Sequence, residues 1–237
     1  MTREEVTGGI RFAGTGQAAN LDVVKIHVLP SGPIQTIGYL LTDATLGQAV
    51  LIDAPGDILA KIKPVLAKEN CVLKELWLTH GHWDHMQDGL AVKRETGAHV
   101  RAHRADQAMI ETPELMEEFM GARLGLKGVK VDTWIEQGDR LSVLGRVFEV
   151  RHVPGHCPGN VLFYQAEARV ALVGDALFNR GVGRWDFPGG NFDQLSHSIR
   201  EQIYTLPDET VVLPGHGPRT TVGDEKANNP YVSAFAP

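Results

Sequence analysis

Residues 79–85 concentrate side chains that bind metal ions. His80, His82, Asp84 and His85 all fall within six consecutive positions. Histidine is the commonest metal ligand in proteins, and a carboxylate balances part of the charge of a divalent cation. Because one ion cannot easily take all four ligands from so tight a loop, the spacing favours two neighbouring ions. A histidine-rich turn without metal is the alternative interpretation.

The flanking sequence indicates where this loop lies. Residues 75–78 form a short apolar run that is typical of a buried strand, and residues 86–95 have a helical pattern. The loop therefore follows the C-terminal end of a strand, which is where α/β folds usually place their chemistry.

Three later residues share one pattern. His156, Asp175 and His216 each closely follow an apolar strand and adjoin a glycine, which lets the backbone turn sharply. Each signal is weak alone, since Pro-Gly-His and Gly-Asp are common turn sequences. If the strands converge on one edge of a sheet, the three residues reach the loop at 80–85 and complete one site.

Further residues have two open interpretations each. Asp53 ends an apolar strand, so it either forms a turn or orients a metal ligand through a hydrogen bond. Arg184 either binds a substrate carboxylate through its forked guanidinium or forms a surface ion pair. Residues 104–124 have a helical character and carry a methionine-rich apolar set, which is usually core but could line a substrate entrance.

Composition limits the function classes. The chain has 237 residues, 43% of them hydrophobic, and a formal net charge of −6, as in ordinary globular proteins. The acidic balance argues against nucleic-acid binding. No segment has the pattern of a signal peptide or a membrane span, so we expect a cytoplasmic protein that acts on a small molecule. Residues 1–20 are predicted to form a loosely ordered arm, and residues 21–237 a single domain.

The ligand pattern His-x-His-x-Asp-His, followed by His156, Asp175 and His216, resembles the metallo-β-lactamase superfamily. Residues 174–178, 183–190 and 214–221 are similar to the short glyoxalase II-like hydrolases, which are similar to hydroxyacylglutathione hydrolase. The resemblance extends over nearly the whole chain. It implies a four-layer αββα sandwich of the α/β (α+β) class, with a dinuclear site at the edge of the two sheets.

The resemblance also implies the division of the ligands: His80, His82 and His156 for the first metal, Asp84, His85 and His216 for the second, and Asp175 as a bridge. We expect zinc, with iron or manganese as alternatives. A hydroxide held between the ions would attack the carbonyl of a thioester of the S-2-hydroxyacylglutathione type. Asp84 would assist the proton transfers.

Two other activities fit the same fold. A persulfide dioxygenase would use one iron on the equivalents of His80, His156 and Asp175, and a lactonase or other ester hydrolase would use the same two metals. His82 and His216 favour the two-metal interpretation. The chain departs from the glyoxalase II pattern at Trp83 and Trp185, and it stops soon after the last ligand, where longer enzymes have a helical region that helps to hold glutathione.

Overall fold

The computed structural model describes residues 10–11 and 24–233. Its first half runs as follows: β1 (Ile10–Arg11), β2 (Lys25–Ser31), β3 (Thr36–Asp43), β4 (Gln48–Ile52), α1 (Ile58–Glu69), β5 (Val72–Trp77), α2 (Trp83–Met86), α3 (Gly89–Thr96), β6 (His99–His103), a 3₁₀ turn (Arg104–Asp106), α4 (Gln107–Glu111), α5 (Glu114–Met120) and β7 (Thr133–Ile135).

The second half contains more strand than helix. Its elements are β8 (Arg140–Val143), β9 (Arg146–His152), β10 (Val161–Gln165), β11 (Val170–Gly174), β12 (Leu177–Phe178), β13 (Gly181–Val182), α6 (Phe192–Ser198), a π-helical turn (Ile199–Ile203), β14 (Val211–Pro214), β15 (Thr220–Thr221) and α7 (Val222–Asn228).

Within the described residues the strands form two large sheets. The first has the order β1-β2-β3-β4-β5-β6-β7, and the second has the order β15-β14-β11-β10-β9-β8. Strands β4 to β7 are parallel, so their C-terminal ends meet at one edge of the first sheet. In the second sheet β11 and β14 are also parallel. The loops that follow these strands carry the predicted metal ligands.

Three apolar clusters define the layers. Successive side chains of β3 point to opposite faces of the first sheet, and both faces are buried. Leu40 packs on the side of α1, while Tyr39 and Leu41 pack between the two sheets. The third cluster joins the outer face of the second sheet to α6 through Leu195 and to the following π-helical turn through Ile199. Helices, two sheets and helices therefore form four layers, which confirms the predicted αββα sandwich.

Some local expectations differ from the structure. A proline inside a helix is expected to kink or divide it, but α1 continues through Pro64. Both Pro64 and Ala60 are exposed, so water can bind the carbonyl that lacks an N–H donor. The helical region predicted over 104–124 is interrupted at Thr112 and Pro113, between α4 and α5.

The predicted arm over residues 1–20 lies outside the described residues, except that Ile10–Arg11 pair with β2. Its looseness and the single domain over 21–237 stay predictions. Over the described ranges, no helix is both long and apolar enough to cross a membrane.

Candidate metal centre

The ligand-bearing loops converge because of strand direction. The loop with His80 and His82 follows β5, and Asp84 and His85 lie on α2 directly behind it. His156 follows β9 in the other sheet. The two halves of the chain therefore contribute to one edge of the sandwich.

Asp175 and His216 follow the parallel neighbours β11 and β14, so their loops lie side by side. The Gly215 N–H donates to the Gly174 carbonyl at 2.8 Å. A Cβ atom on Gly215 would lie 2.6 Å from Cε1 of His85, so the backbone beside His216 can approach that ring only as glycine.

All seven predicted ligands come together. Their ligand atoms form overlapping groups whose members lie within 4.8 Å of one another: His80, His82 and His156; Asp84, His85 and His216; and His80, His85 and Asp175. The first two groups have the membership that the resemblance implied for the two metals. The remaining five histidines of the chain are absent from these groups.

The Asp175 carboxylate lies between the two groups. Its Oδ2 is 3.6 Å from Nε2 of His156 and 3.6 Å from Nε2 of His216. Its Oδ1 is 3.3 Å from Nε2 of His85. One carboxylate oxygen is thus equidistant from a histidine of each group, which agrees with the bridging position that the resemblance implies.

The donor set fits divalent ions. Three buried polar atoms that face the cluster make no hydrogen bond of acceptable geometry: Nε2 of His80, and Nε2 of His85 and Oδ1 of Asp175, which contact each other at 3.3 Å. A buried polar atom without a partner costs about 1–3 kcal/mol. Imidazole nitrogens and carboxylate oxygens are ligands that zinc, iron and manganese accept, so bound cations would satisfy all three atoms.

Asp53 contacts the ligands from behind. Its Oδ2 lies 2.7 Å from Nδ1 of His85, and Oδ1 accepts the Thr79 N–H at 2.7 Å. The Thr79 hydroxyl donates to Oδ2 of Asp53 at 2.8 Å and is 3.0 Å from Nδ1 of His80. These contacts leave Nε2 of both histidines directed into the cluster. Of the two interpretations of Asp53, this geometry favours the one in which it orients ligands.

Two other contacts fix ligand geometry. Nδ1 of His156 lies 2.6 Å from the carbonyl oxygen of Arg184, so this nitrogen carries the proton and Nε2 is left as the metal-binding atom. The Thr36 hydroxyl donates to Oδ2 of Asp84 at 2.7 Å. Sequence reasoning did not find Thr36, since a threonine at a strand start carries no distinguishing signal.

Asp106 is a second residue that sequence reasoning missed. It is buried in the 3₁₀ turn after β6, where its Oδ2 accepts the Gly81 N–H at 2.8 Å and its Oδ1 accepts the Gly159 N–H at 2.7 Å. The Cys157 thiol, also buried, donates to Oδ2 at 3.2 Å. Asp106 therefore joins the loop of His80 and His82 to the loop of His156.

The electrostatics favour the deprotonated forms of His80, His82 and Asp84, which metal binding needs, whereas at His85 a cation must displace a proton. Burial, reinforced by neighbouring histidines, lowers the pKa of His80 well below its usual value and that of His82 to about 3. Burial opposes the protonated form of His85, but Asp84, Asp175 and Asp53 outweigh it and raise its pKa. Burial also opposes ionisation of Asp84, but His85 and hydrogen bonds from His216 and Thr36 keep its pKa low.

A cavity of about 600 Å³ opens onto the centre. Five of the predicted ligands line its floor, and its walls are largely apolar: Ile34, Trp83, Met109, Leu115, Met116, Met120, Phe178, Val182, Phe187 and Pro188. Arg184 also lines it, but its guanidinium forms a forked ion pair with Asp186, with two N–O distances of 2.9 Å. The surface ion pair proposed as one interpretation of Arg184 is therefore present.

Comparison with known proteins agrees with this geometry. A profile of the metallo-beta-lactamase superfamily matches residues 33–216, which include every ligand in the cluster. The chain belongs to the metallo-β-lactamase superfamily.

Relatives in this superfamily cover the chain almost from end to end. The hydroxyacylglutathione hydrolase GloC of Haemophilus influenzae is 33% identical over 217 residues, which are 89% of this chain and 99% of GloC. The BLEG-1 B3 metallo-beta-lactamase is 34% identical with a TM-score of 0.80, and the match covers 87% of this chain and 99% of BLEG-1. TTHA1623 in a di-iron-bound form is 35% identical with a TM-score of 0.76, covering 86% and 98%.

Proposed function

We propose that this protein is a dinuclear-metal thioesterase that hydrolyses thioesters of the S-2-hydroxyacylglutathione type. The observation that carries the proposal is the pair of three-ligand groups joined by Asp175, with unpartnered ligand atoms directed into them. Both groups lie at the floor of a cavity that is large enough for a small-molecule substrate.

The chemistry divides between the ions and the chain. Two divalent ions, when bound, would supply an activated water and polarise the thioester carbonyl. His80, His82 and His156 would hold one ion, Asp84, His85 and His216 the other, and Asp175 would bind both. Because its pKa is held low, the Asp84 carboxylate accepts hydrogen bonds at neutral pH and orients the proton that moves during attack. A thiolate is a good leaving group, so no strong general acid is required.

Several observations support hydrolysis over the other activities. The relative GloC is named a hydroxyacylglutathione hydrolase. A single-iron dioxygenase site would need only His80, His156 and Asp175. In this structure two further potential ligands belong to the cluster: Nδ1 of His82 lies 2.8 Å from Nε2 of His156, and Nε2 of His216 lies 3.2 Å from Oδ2 of Asp84. Complete ligand sets for two ions therefore favour the dinuclear reaction. Zinc is the metal we propose, although TTHA1623 binds two irons.

The test is thiol release from S-lactoylglutathione by protein loaded with two equivalents of zinc. We expect turnover that a chelator abolishes and added zinc restores. Asp175→Ala should lose bound metal and hydrolysis together, because one oxygen of Asp175 lies 3.6 Å from a histidine of each group.

Two results would contradict the proposal. Asp175→Ala with two bound metals and normal turnover would exclude the bridging role. Fully loaded protein without turnover would exclude the glutathione thioester, and oxygen uptake with a persulfide on the iron form, or turnover of a lactone, would then identify the alternative activity.

A further inference from the structure

The walls of the cavity expose apolar side chains that the protein itself does not cover. Leu115, Met120 and Ile34 are 53%, 39% and 51% exposed, yet all three line the cavity above the metal ligands. Exposed apolar surface of this kind, continuous with a catalytic centre, is typical of a ligand-binding groove. The same cavity holds the predicted ligands His82 and His216, so whatever covers this surface also reaches the reacting atoms.

The methionines make this wall adaptable. Met109, Met116 and Met120 lie on α4 and α5, and all three line the cavity. Unbranched thioether side chains repack easily around flexible apolar groups, so they suit a chain of variable length better than a rigid ring. The interpretation of the methionine-rich set as a substrate entrance therefore agrees with the structure, while Met116 also contributes to the core.

The walls of the cavity, away from the metal-binding floor, offer little to a highly charged ligand. Among the described residues that line it, Arg184 is the sole lysine or arginine. Its guanidinium is paired with Asp186 and lies 4.1 Å from the ring centre of Phe187. A substrate carboxylate would have to displace Asp186, whereas an apolar chain would gain free energy from every methylene that it buries.

We propose that the preferred substrate is a thioester with an unbranched apolar chain, carried on either its acyl or its thiol side, that lies along Met109, Leu115, Met116 and Met120. This assignment rests on the proposed thioesterase function. It goes beyond that function because a lactoyl group is too short and too polar to cover the wall formed by α4 and α5.

Two substrate series test the proposal on the zinc-loaded protein. One extends the acyl group from acetyl to octanoyl on N-acetylcysteamine, and the other extends an n-alkyl thiol with an acetyl group held constant. Burial of one methylene should raise kcat/KM about fourfold until the cavity is full. The series that shows the rise identifies the side on which the chain is carried.

Binding is measured separately with uncleavable thioethers of the same chain lengths. Calorimetry should give a Kd that falls about fourfold per methylene, with a negative heat-capacity change. Length-dependent binding without turnover of any thioester would overturn the thioesterase function but support the apolar chain as ligand. Values of Kd and kcat/KM that are independent of length in both series would overturn this inference, even if S-lactoylglutathione is hydrolysed.

A matched pair of variants locates the binding surface. Leu115→Asp places a charge on the cavity wall, and Leu46→Asp makes the same change at a residue of similar exposure, 49%, in the hairpin turn between β3 and β4. We expect Leu115→Asp to flatten the chain-length dependence and Leu46→Asp to preserve it. Met120→Asp, at a second exposed position on the wall, should repeat the effect of Leu115→Asp. Unchanged length dependence in both wall variants would overturn the proposed position of the chain.

Discussion

Asp53→Asn should weaken metal binding without unfolding the protein. Asp53 is buried and makes three short contacts, to Nδ1 of His85 at 2.7 Å, to the Thr79 N–H at 2.7 Å and to the Thr79 hydroxyl at 2.8 Å. As a carboxylate it accepts all three. Asparagine has nearly the same shape, but one of its two terminal atoms is an NH₂ group that can only donate.

The amide therefore cannot accept all the hydrogen bonds that the carboxylate accepts. If its oxygen keeps the Thr79 N–H, its NH₂ group faces Nδ1 of His85, which must then accept a hydrogen bond and transfer its proton to Nε2. That nitrogen is the unpartnered atom directed into the metal centre, and a protonated nitrogen cannot bind a cation. If the amide flips, the buried Thr79 N–H loses its acceptor.

The size of the effect follows from this change of tautomer. Loss of the partner that orients a ligating histidine typically costs 10–100-fold in metal affinity, which corresponds to about 1.4–2.7 kcal/mol. The ion held by His85 should be affected more than the ion held by His82 and His156, because Asp53 reaches the latter group only through Thr79 and His80. Titration against a chelator of known affinity, with metal analysis of the dialysed protein, measures both sites.

Asp43→Asn is the matched control. Asp43 is also a buried carboxylate, but it accepts the Thr45 and Leu46 N–H groups in a hairpin turn and contacts no predicted ligand. Its variant should keep wild-type affinity at both sites. Equal metal affinity in wild type, Asp53→Asn and Asp43→Asn would refute the role of Asp53 in orienting His85.

Three further outcomes are expected. Asp106→Ala leaves the Gly81 and Gly159 N–H groups without their acceptor, so urea unfolding should show a loss of roughly 3 kcal/mol, and metal content should fall; full stability would contradict the role of Asp106. Removal of the metals should lower the thermal midpoint, since each ion at 100 times its Kd adds about 2.7 kcal/mol; equal midpoints would contradict binding to the folded state. Burial, and then charge repulsion from the stacked His152, lowers the pKa of His103 to about 4, so folding disfavours its protonation. Between pH 6.5 and 4 the wild type should lose roughly 1 kcal/mol relative to His103→Asn in urea unfolding, a value reduced for solvent screening; parallel pH profiles would contradict this.

The residues that cluster at this edge could be predicted because each carries a local signal. His80, His82, Asp84 and His85 share one loop, and His156, Asp175 and His216 each follow a strand beside a glycine. Longer strands are also accessible from the sequence, since β3, β4 and β10 are marked by continuous runs of apolar residues. Strands of two residues, such as β12 and β13, cannot express a period, and they were not predicted.

The residues that support the ligands had no such signal. Thr36 is 48 positions from Asp84, and Asp106 is 25 positions from Gly81 and 53 from Gly159. A hydrogen bond between such distant positions depends on the packing of whole layers, which a single sequence does not reveal. For Asp53 the sequence leaves two interpretations open, a turn residue or one that orients a ligand, because ordinary turns also place aspartate at the end of a strand.

These supporting contacts have a physical consequence for the whole fold. Asp106 of the first half binds the loop at Cys157 and Gly159 of the second, and the Tyr39 hydroxyl donates to the Pro214 carbonyl across the sheets at 2.7 Å. The ligand groups are completed in the same place by residues of both halves. Any movement of one sheet against the other would therefore separate the predicted metal ligands and break buried hydrogen bonds together. Metal binding and the packing of the two sheets should accordingly stabilise each other, since a ligand set divided between two halves exists only when both are folded.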